Sequence, residues 1–342
     1  MPQPGERNLI TDVPGISVGN ATDEKVKTGV TVLRCDQAYV SAVDVRGGAP
    51  GSRETEVLAP ENLVDKADAI VLTGGSVFGL AAADGAMNAL SRSGIGIKIS
   101  AGGPPIPIVP AAVLHDLGND GDKAWGDEPP YRILGAEACA GAATEFSLGP
   151  VGAGRGAMAG AQRGGLGSSS LQLDDGVTVG ALVAANPVGS VYMPDGETFY
   201  AWPWEINSEF GGRHPPSQKD RADPFPDHSR LKQRMQAGAN TTIAIVATCA
   251  DLNSVEAKRV AMMAHDGIAR AVRPAHTPFD GDIVFTVATA KNEMPEEESL
   301  ARPASIAQIG AAAADCLARA VARAVYETKQ RLINSVREHQ LR

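Results

Sequence analysis

Short apolar runs alternate with amphipathic stretches along the chain, most clearly in its last third. Residues 242–248 (TIAIVAT) and 283–289 (IVFTVAT) are short, apolar and rich in β-branched side chains, which is typical of buried strands. Between them, Asn253 and Glu256 have the spacing of a helix N-cap and its N3 partner, and apolar residues then recur on one helical face as far as Pro274. The pattern therefore predicts a strand, a helix and a second strand.

The remaining segments mix the same two kinds of element. The last forty residues predict a long helix capped by Ser305, because apolar residues recur there at every third or fourth position. Residues 70–72 predict a short strand, which runs into Gly74-Gly75-Ser76 and then into an alanine-rich helix near 80–90. Residues 214–229 are polar, rich in proline and without periodicity, which favours an exposed loop or linker. The fold class is therefore α/β or α+β.

Composition and charge exclude several classes of protein. The 342 residues include 38 glycines and 23 prolines, 43% of the residues are apolar, and 31 basic against 40 acidic residues give a net charge of −9. The apolar fraction is too high for a disordered chain, the acidic charge argues against nucleic-acid binding, and the glycine content argues against a helical bundle. We find no secretory signal and no apolar run long enough for a membrane span, so we expect a cytoplasmic protein without membrane partners.

Neither metal nor cofactor binding is indicated by the sequence. The four cysteines are far apart and form no CxxC pair, and the six histidines show no metal-ligand spacing. His115 and His265 each precede an aspartate at the end of an apolar run, which is typical of a hydrogen-bonded histidine at the edge of a core. Residues 152–157 (GAGRGA) fit the GxGxxA pattern of a dinucleotide site, but they follow Pro150 rather than a buried strand. We therefore expect buried thiols, no metal and no cofactor.

The stretch 238–248 (GANTTIAIVAT) places a glycine-bearing loop directly before a hydrophobic strand. If the bond between Asn240 and Thr241 is cut, Thr241 becomes a free N-terminus at the head of that strand. Its hydroxyl then has an α-amine in the same residue, and a pKa of about 8 lets that amine act as a base at neutral pH. The alternative interpretation is a loop end with a solvated threonine, and the spacing alone favours that alternative.

A second stretch, Phe279-Asp280-Gly281-Asp282, stands just before the strand predicted at 283–289. In an extended backbone, Asp280 and Asp282 at positions i and i+2 point to one side of the strand. Two carboxylates that lie so close favour keeping a proton on one of them, which suits an acid or a hydrogen-bond donor. A glycine-centred turn with two solvated acids fits the same residues.

The third stretch is Gly74-Gly75-Ser76, which does not complete a GxSxG nucleophile elbow because Phe78 stands at the position of the last glycine. A tight strand-to-helix turn explains it. The backbone N–H groups of Gly75 and Ser76 are still suited to line a pocket, since helix N-termini favour anions.

Seven stretches together resemble the self-processing aminopeptidase family that contains D-aminopeptidase/L-esterases, β-peptidyl aminopeptidases and nylon-oligomer endohydrolases. They are NLITDVPGISVG at 8–19, DVRGGAPGSRE at 44–54, LTGGSVFGLAAADG at 72–85, PIVPAAVL at 107–114, GAGRGAMAGAQRGGLGSSS at 152–170, ANPVG at 185–189 and GANTTIAIVAT at 238–248. The resemblance favours the nucleophile interpretation of Thr241. It implies an αββα sandwich like that of N-terminal-nucleophile hydrolases, shared with ornithine acetyltransferase. It also implies one chain cut into residues 1–240 and 241–342, which stay associated in a homo-oligomer.

The resemblance also implies a role for each matched residue. Thr241 would be the nucleophile, and Asn186 in ANPVG would polarise the substrate carbonyl and hold the oxyanion. Asp280 and Asp282 match a pair that is two aspartates in nylon-oligomer hydrolases but a serine and a glutamate in the aminopeptidase branch. With threonine as the nucleophile as well, the chain leans toward the nylon-hydrolase side.

Two positions depart from the family pattern. Arg163 stands where the family has a lysine before GGLGS. Arginine stays charged and cannot shuttle a proton, so we expect Arg163 to orient and neutralise rather than act as a base. His115 stands at the tyrosine that some members use beside the oxyanion, and we expect it, with Gly75 and Ser76, to contact the substrate.

These residues predict an amide hydrolase that cleaves itself between Asn240 and Thr241 and then attacks a small peptide or amide oligomer through Thr241, forming an acyl-enzyme. An acyltransferase of the ornithine acetyltransferase type would use the same Thr241 but pass the acyl group to an amine. An unprocessed, non-catalytic relative is the third interpretation, with Arg163 as its cause. Much of the glycine excess falls in the matched stretches, so we expect close backbone approaches around Thr241.

Overall fold

The computed structural model describes residues 2–215, 223–232, 240–296 and 298–340 of the chain. The strands within these ranges are β1 (Ile16–Asp23), β2 (Thr28–Val45), β3 (Ser52–Arg53), β4 (Lys66–Thr73), β5 (Ala111–Val113), β6 (Met158–Ala159), β7 (Gln162–Arg163), β8 (Gly165–Gln172), β9 (Thr178–Asn186), β10 (Thr241–Ala250) and β11 (Ile283–Asn292). The α-helices are α1 (Ala81–Arg92), α2 (Tyr131–Ala140), α3 (Ser254–Ala271) and α4 (Ala301–Gln340).

One long strand, β2, belongs to both of the sheet layers. Residues 28–35 pair antiparallel with β1, residues 30–34 and 39–40 pair antiparallel with β4, and residues 40–45 pair antiparallel with β11. The ladder with β4 shifts its register between Arg34 and Tyr39. The paired strands follow one continuous order, β3–β5–β4–β2–β11–β10–β9–β8, with β1 also paired to β2. We call the strands on the β4 side of β2, together with β1, the first layer, and β11, β10, β9 and β8 the second layer.

Helices cover the outer face of each layer. Leu90 of α1 packs in one apolar cluster with Val30 and Val71 of the first layer, and α2 joins the same cluster. α3 and α4 cover the second layer, where Leu317 of α4 belongs to the larger cluster that contains Leu182 of β9. The chain thus forms an αββα sandwich, which confirms the predicted fold class.

Glycine lets packed elements of the sandwich approach each other closely. A Cβ at Gly85 of α1 would lie 1.9 Å from the carbonyl oxygen of Arg132 in α2. A Cβ at Gly167 of β8 would likewise lie 1.9 Å from the carbonyl oxygen of Ala320 in α4. A larger residue at either position would force the elements apart in a closely packed interior. Part of the glycine excess therefore serves the packing of helices.

The elements predicted in the last third are confirmed, with one correction. β10, α3 and β11 contain the predicted strand, helix and strand, and Asn253 Oδ1 accepts the Glu256 N–H at 2.9 Å as the predicted N-cap. The prediction that Ser305 caps the last helix is wrong, because α4 already begins at Ala301. The hydroxyl oxygen of Ser299 accepts the Ala301 N–H there at 3.2 Å, so the helix starts one turn earlier.

Two further predictions concern exposure. Of the predicted linker at 214–229, residues 216–222 lie outside the described residues; among the others, Phe225 is exposed, whereas Ser229 is buried. All four cysteines are buried free thiols, as predicted. Across the described ranges, no helix is both long and apolar enough to cross a membrane.

Candidate active site

Thr241 is the first residue of β10, which lies inside the second layer between β9 and β11. The residue is buried, with 2% of its surface exposed. In the antiparallel ladder with β9, Thr241 stands directly opposite Asn186, the last residue of that strand. Directly opposed residues project their side chains from the same face of a sheet. The fold therefore makes neighbours of the predicted nucleophile and the predicted oxyanion residue.

The peptide bond between Asn240 and Thr241 is enclosed at the start of β10. Thr241 Oγ1 donates a hydrogen bond to the carbonyl oxygen of Asn240. The N–H of Gly281 donates to the same oxygen at 3.0 Å. A Cβ at position 281 would lie 2.9 Å from Thr241 Oγ1 and 2.6 Å from the carbonyl oxygen of Ala49, so only glycine permits this approach. A hydroxyl, a carbonyl group and an N–H donor are thus in contact at the predicted cut.

The side chain of Asn240 is enclosed as well. The residue is 1% exposed, and neither Oδ1 nor Nδ2 of its amide has a hydrogen-bond partner within the part of the chain that the structure describes. A buried polar group left without a partner costs about 1–3 kcal/mol. The residue before the predicted cut is therefore held in an unfavourable place. The glycine-bearing loop predicted just before it, at 238–239, lies outside the described residues.

Two hydrogen bonds fix the amide of Asn186. Its Oδ1 accepts the N–H of Met158 at 2.9 Å, and its Nδ2 donates to the carbonyl oxygen of His115 at 3.3 Å. The first bond settles which end of the amide carries the hydrogens. Because a primary amide has two N–H bonds, Nδ2 keeps a second hydrogen beyond the one given to His115.

The two predicted aspartates flank the start of β10, and both are buried. Asp280 Oδ1 accepts the Val188 N–H at 3.0 Å, and its Oδ2 accepts the N–H and the hydroxyl of Thr277 at 3.1 and 2.6 Å. Asp282 Oδ1 accepts the N–H of Thr242 at 2.7 Å. Asp282 thus holds the residue after Thr241, and Asp280 pairs through its backbone with Asn240. The solvated glycine-centred turn is therefore not what the chain forms.

The environment of Asp280 changes the acidity of its carboxyl group. Burial, and then the nearby carboxylate of Asp282, raise the pKa of Asp280 to about 6. Asp280 therefore holds its proton over a pH range in which a solvated aspartate has lost it. A buried carboxyl group with a pKa near the working pH is suited to give and take a proton.

Because its pKa is raised, Asp280 should make the free energy of unfolding depend on pH. The folded state keeps a proton on Asp280 up to about pH 6, whereas the unfolded state releases it near pH 3.8. Asp280 therefore destabilises the fold increasingly as the pH rises through this window. In the Thr241→Ala background, where one intact chain unfolds, we expect Asp280→Asn to gain about 2–3 kcal/mol in free energy of unfolding, relative to its parent, between pH 4 and pH 7. Urea denaturation at each pH measures it.

The comparison isolates Asp280 because other titrating groups are common to both proteins. Burial lowers the pKa of His265 to about 4, for example, which favours folding as the pH rises and cancels in the difference. Asp174→Asn is the matched control, since Asp174 is exposed and its carboxylate stays in water in both states. A difference for Asp280→Asn that stays as flat with pH as that control would contradict the prediction.

Sequence reasoning missed two residues at this site. Arg230 donates from Nη2 to three backbone carbonyl oxygens, those of Met158, Asn186 and Pro187, at 2.8, 3.2 and 3.0 Å. Burial lowers the pKa of Arg230 to about 10. The other residue is His276, whose ring contacts Asp282. A lone arginine beyond a proline-rich stretch and a lone histidine in a loop carry no pattern that would have found them.

Gly75 and Ser76 stand at the start of a 3-10 turn that is joined to the loop of His115, and His115 in turn contacts Asn186. The N–H of Ser76 donates to the carbonyl oxygen of Leu114 at 2.9 Å, which joins the turn to the residue before His115. Gly75 has a φ of 85°, in the region that favours glycine, and its N–H donates to Asp116 Oδ1 at 2.8 Å. His115 reaches the site through its backbone carbonyl, which accepts the amide of Asn186.

Arg163 lies on the hairpin of β6 and β7, opposite Met158. Its side chain is 41% exposed and forms an ion pair with Asp120 at 3.6 Å. The hairpin reaches the site through the N–H of Met158, which holds Asn186. Arg163 is thus connected to the predicted oxyanion residue through its hairpin partner.

Two other sequence expectations concern bound groups. Gly152–Gly154 forms a single 3-10 turn whose N–H groups bond to Thr22 and Thr31, so the GxGxxA pattern does not open an α-helix after a strand. Among the described residues, no group of three or more His, Cys, Asp and Glu side chains is arranged to hold a metal ion.

The chain is similar to known proteins over most of its length. The family model described as "Peptidase family S58" matches residues 8–337. An uncharacterized aminopeptidase of Mycobacterium tuberculosis is 42% identical over 327 residues, which cover 92% of each chain. A 6-aminohexanoate-oligomer endohydrolase of Kocuria sp. is 31% identical over 297 residues, which cover 85% of this chain and 78% of the relative.

Two solved structures share the fold. The β-aminopeptidase of Burkholderia sp. has a TM-score of 0.69 at 24% identity, covering 99% of this chain and 96% of its own. The L-aminopeptidase D-Ala-esterase/amidase of Ochrobactrum anthropi, described as a variant of the Ntn hydrolase fold, has a TM-score of 0.66 at 21% identity, covering 95% of this chain and 87% of its own. The αββα sandwich of this chain is the fold of these proteins.

Proposed function

Since the chain belongs to peptidase family S58 and is a hydrolase of peptide or amide bonds, we propose that it matures by cutting itself between Asn240 and Thr241. The new N-terminal threonine then hydrolyses small peptides or amide oligomers through an acyl-enzyme. The observation that carries this proposal is the contact between the Thr241 hydroxyl and the carbonyl oxygen of Asn240, at a bond buried within the site.

Self-cleavage begins with the hydroxyl of Thr241. Its oxygen attacks the carbonyl carbon of Asn240, the hydroxyl proton passes to the departing nitrogen, and the C–N bond breaks. This leaves Asn240 as an ester on Oγ1 and frees the α-amine of Thr241. Gly281 N–H already donates at 3.0 Å to the oxygen on which negative charge develops, a distance suited to an oxyanion donor. Water then hydrolyses the ester and releases the carboxylate of Asn240.

The burial of Asn240 supports the direction of this reaction. Its amide loses its water without gaining a partner in the described residues, and cleavage lets the residue leave. Its departure also vacates the space at the carbonyl position beside Thr241. The acyl part of a substrate then takes the place that Asn240 holds in the intact chain.

Hydrolysis in the cleaved protein uses the same residues in new roles. The α-amine of Thr241, with a pKa of about 8 in an unperturbed peptide, takes the proton of its own hydroxyl as that oxygen attacks the substrate carbonyl. The second N–H of Asn186 Nδ2 donates to the oxygen that becomes negative. Asp280 supplies and recovers protons as the amine leaves and as water attacks the acyl-enzyme.

The other predicted residues support this reaction from the surrounding loops. We assign Gly75, Ser76 and His115 to the wall that contacts the substrate, because their loops converge on the amide of Asn186. Arg163 neutralises charge and orients its hairpin rather than moving a proton, since a guanidinium keeps its charge. Arg230 holds the backbone of Asn186 in place.

The two fragments stay together because the sheet interleaves them. β10, which follows the cut, pairs with β9, which precedes it. β11 pairs with β2 in the same way. The pieces 1–240 and 241–342 therefore share one sheet and one core, and we propose that they form a single functional unit.

The relatives suggest two substrate classes. One is an aminopeptidase by name and the other a hydrolase of 6-aminohexanoate oligomers. The threonine nucleophile and the pair of aspartates favour the amide oligomers. Hydrolysis of 6-aminohexanoate oligomers, compared with that of aminoacyl p-nitroanilides by the same preparation, decides between the two classes.

Purified protein tests the self-cleavage directly. On a denaturing gel we expect two fragments, corresponding to residues 1–240 and 241–342, and N-terminal sequencing of the smaller one should read TTIAIV. Conversion in freshly made protein should be independent of protein concentration, because the reaction is intramolecular. A single intact chain that nevertheless hydrolyses amides would contradict the mechanism, and an intact chain without turnover would identify a non-catalytic relative.

A further inference from the structure

A histidine without a role in the reaction above lies behind the aspartate pair. The ring Nδ1 of His276 lies 2.8 Å from Asp282 Oδ2, and the backbone N–H of His276 donates to the same oxygen at 3.1 Å. The other carboxylate oxygen, Oδ1, accepts the N–H of Thr242 at 2.7 Å. Three N–H donors therefore surround the carboxylate of Asp282.

The hydrogen-bond pattern defines the tautomer of His276. Nε2 is buried and has no hydrogen-bond partner among the described residues. A hydrogen on that nitrogen would be an unpaired buried donor, whereas a bare ring nitrogen is accommodated at less cost. Since the carboxylate oxygen is an acceptor, Nδ1 carries the hydrogen and donates it to Asp282.

We propose, on the basis of the proposed self-cleavage and hydrolysis, that His276 is a positioning residue which holds the carboxyl group of Asp282 directed at the Thr242 N–H, at the start of β10. The two donors from His276 satisfy one oxygen of Asp282 and the Thr242 N–H satisfies the other, so the side chain is held between these two residues. The nearby carboxylate of Asp282 raises the pKa of Asp280, and His276 thereby acts on Asp280 through the position of Asp282.

The groups that pack against His276 leave Asp282 as its charged partner. His265 of α3 meets the ring edge to face, with centroids 5.0 Å apart. Burial lowers the pKa of His265 to about 4, so this neighbour is uncharged at neutral pH. As the sequence predicts, His265 is a hydrogen-bonded core histidine, with Nε2 3.0 Å from the carbonyl oxygen of Asp44.

Beyond His265, the charges are paired with each other. The carboxylate of Asp44 lies 3.6 Å from His265 Nε2, 3.3 Å from Lys258 Nζ and 3.1 Å from Arg46 Nε. These groups come from β2, α3 and the residue after β2. They hold His265 through its contact with Asp44, whereas His276 contacts Asp282.

Two variants of His276 separate its hydrogen bond from its bulk. His276 has a φ of 54°, a region that asparagine tolerates better than other non-glycine residues. In His276→Asn, the side-chain amide places an N–H donor close to the position of Nδ1 but does not titrate. His276→Ala removes the ring donor and keeps only the backbone N–H. The pair thus differs chiefly in the contact to Asp282.

We expect His276→Ala to slow self-cleavage about tenfold or more, as for loss of a hydrogen bond to a charged group, and His276→Asn to remain within about threefold of the parent. The midpoint of the Asp280 step in the kcat/KM profile should move by about half a pH unit or more in His276→Ala, because the carboxylate of Asp282, which raises the pKa of Asp280, is then no longer held in place. In His276→Asn the midpoint should stay in place. Gel conversion, pH profiles and unfolding temperatures of all three proteins provide the readouts.

Distinct outcomes overturn the positioning role and the proposed function. Equal cleavage rates and superimposable pH profiles for parent and His276→Ala would overturn the role of His276. An equal loss of cleavage rate in His276→Ala and His276→Asn would also overturn it. So would a lower unfolding temperature in His276→Ala with no change in its pH profile. Failure of the parent chain to cleave at all would instead contradict the proposed function.

Discussion

Thr241→Ala is expected to remain a single 342-residue chain and to lose amide hydrolysis by about 10⁴-fold or more. The variant lacks the oxygen that attacks the Asn240 carbonyl, so the bond stays intact and no N-terminal amine is released. Removal of an activated nucleophile from an enzyme of this kind leaves only residual catalysis by the remaining groups. A denaturing gel reports the cleavage, and amide turnover by the same preparation reports the activity.

Thr241→Ser is the matched control, because it keeps the hydroxyl and loses only a methyl group. We expect this variant to cleave itself and to retain activity, with rates altered by the freer rotation of a serine side chain at the head of β10. Thermal unfolding of both variants should show the same fold. Cleavage or parent-like turnover in Thr241→Ala would place the nucleophile elsewhere.

Asn186→Ala is expected to lower kcat about 10²–10³-fold per cleaved site, the effect of losing one oxyanion donor. Asn186 stands opposite Thr241 in the ladder, and its Nδ2 has a second N–H beyond the one given to His115, which we propose as the oxyanion donor. The loss should fall on kcat rather than on KM, because the donor acts on charge that develops in the transition state. The fraction of cleaved protein, read from a gel, normalises the rates.

Asn186→Asp is the isosteric control for this prediction. It keeps the size of the side chain and the acceptor for the Met158 N–H, but it replaces the donor Nδ2 by an oxygen and so loses the hydrogen bond to the His115 carbonyl as well. We expect its kcat to be at least as low as that of Asn186→Ala, since a carboxylate repels the developing negative charge. Parent-like turnover in Asn186→Asp would show that another group holds the oxyanion.

Local sequence patterns predicted much of the fold. The capping pair at Asn253 and Glu256 and the β-branched runs around residues 245 and 285 are signals that act within a few residues of themselves. The prediction for Ser305 was wrong because the cap was placed next to the apolar repeat, whereas the first turn of α4, residues 301–304, lies before that repeat and has no large apolar side chain. The double membership of β2 has no local signal, since it depends on which strands meet each half.

The candidate site was predictable only in part, for the same reason. Thr241, Asn186 and the two aspartates lie in stretches that a family resemblance identifies. Their meeting depends on the ladder of β10 with β9 and on the turn before β11, which no spacing reveals. Arg230 and His276 act through single contacts to backbone or carboxylate oxygens, so no pattern surrounds them.

The glycine excess shows how a composition can have several causes. Gly281 is needed beside Thr241, the proposed nucleophile, because any side chain there would meet Thr241 Oγ1. Gly85 and Gly167, in contrast, permit the close approach of α1 to α2 and of β8 to α4. Composition reports that close approaches exist, and the fold decides where they are.

The strands on either side of the proposed cut pair with each other, β10 with β9 and β11 with β2, so the cut changes how the protein can refold. Before the cut, assembly is a first-order process whose rate does not depend on concentration. After it, the unfolded material consists of two separate polypeptides, and recovery requires a second-order encounter between them. Self-cleavage would thus make folding effectively irreversible. The protein folds as one chain, but once it has been cut and unfolded it regains its structure only if its two polypeptides meet again.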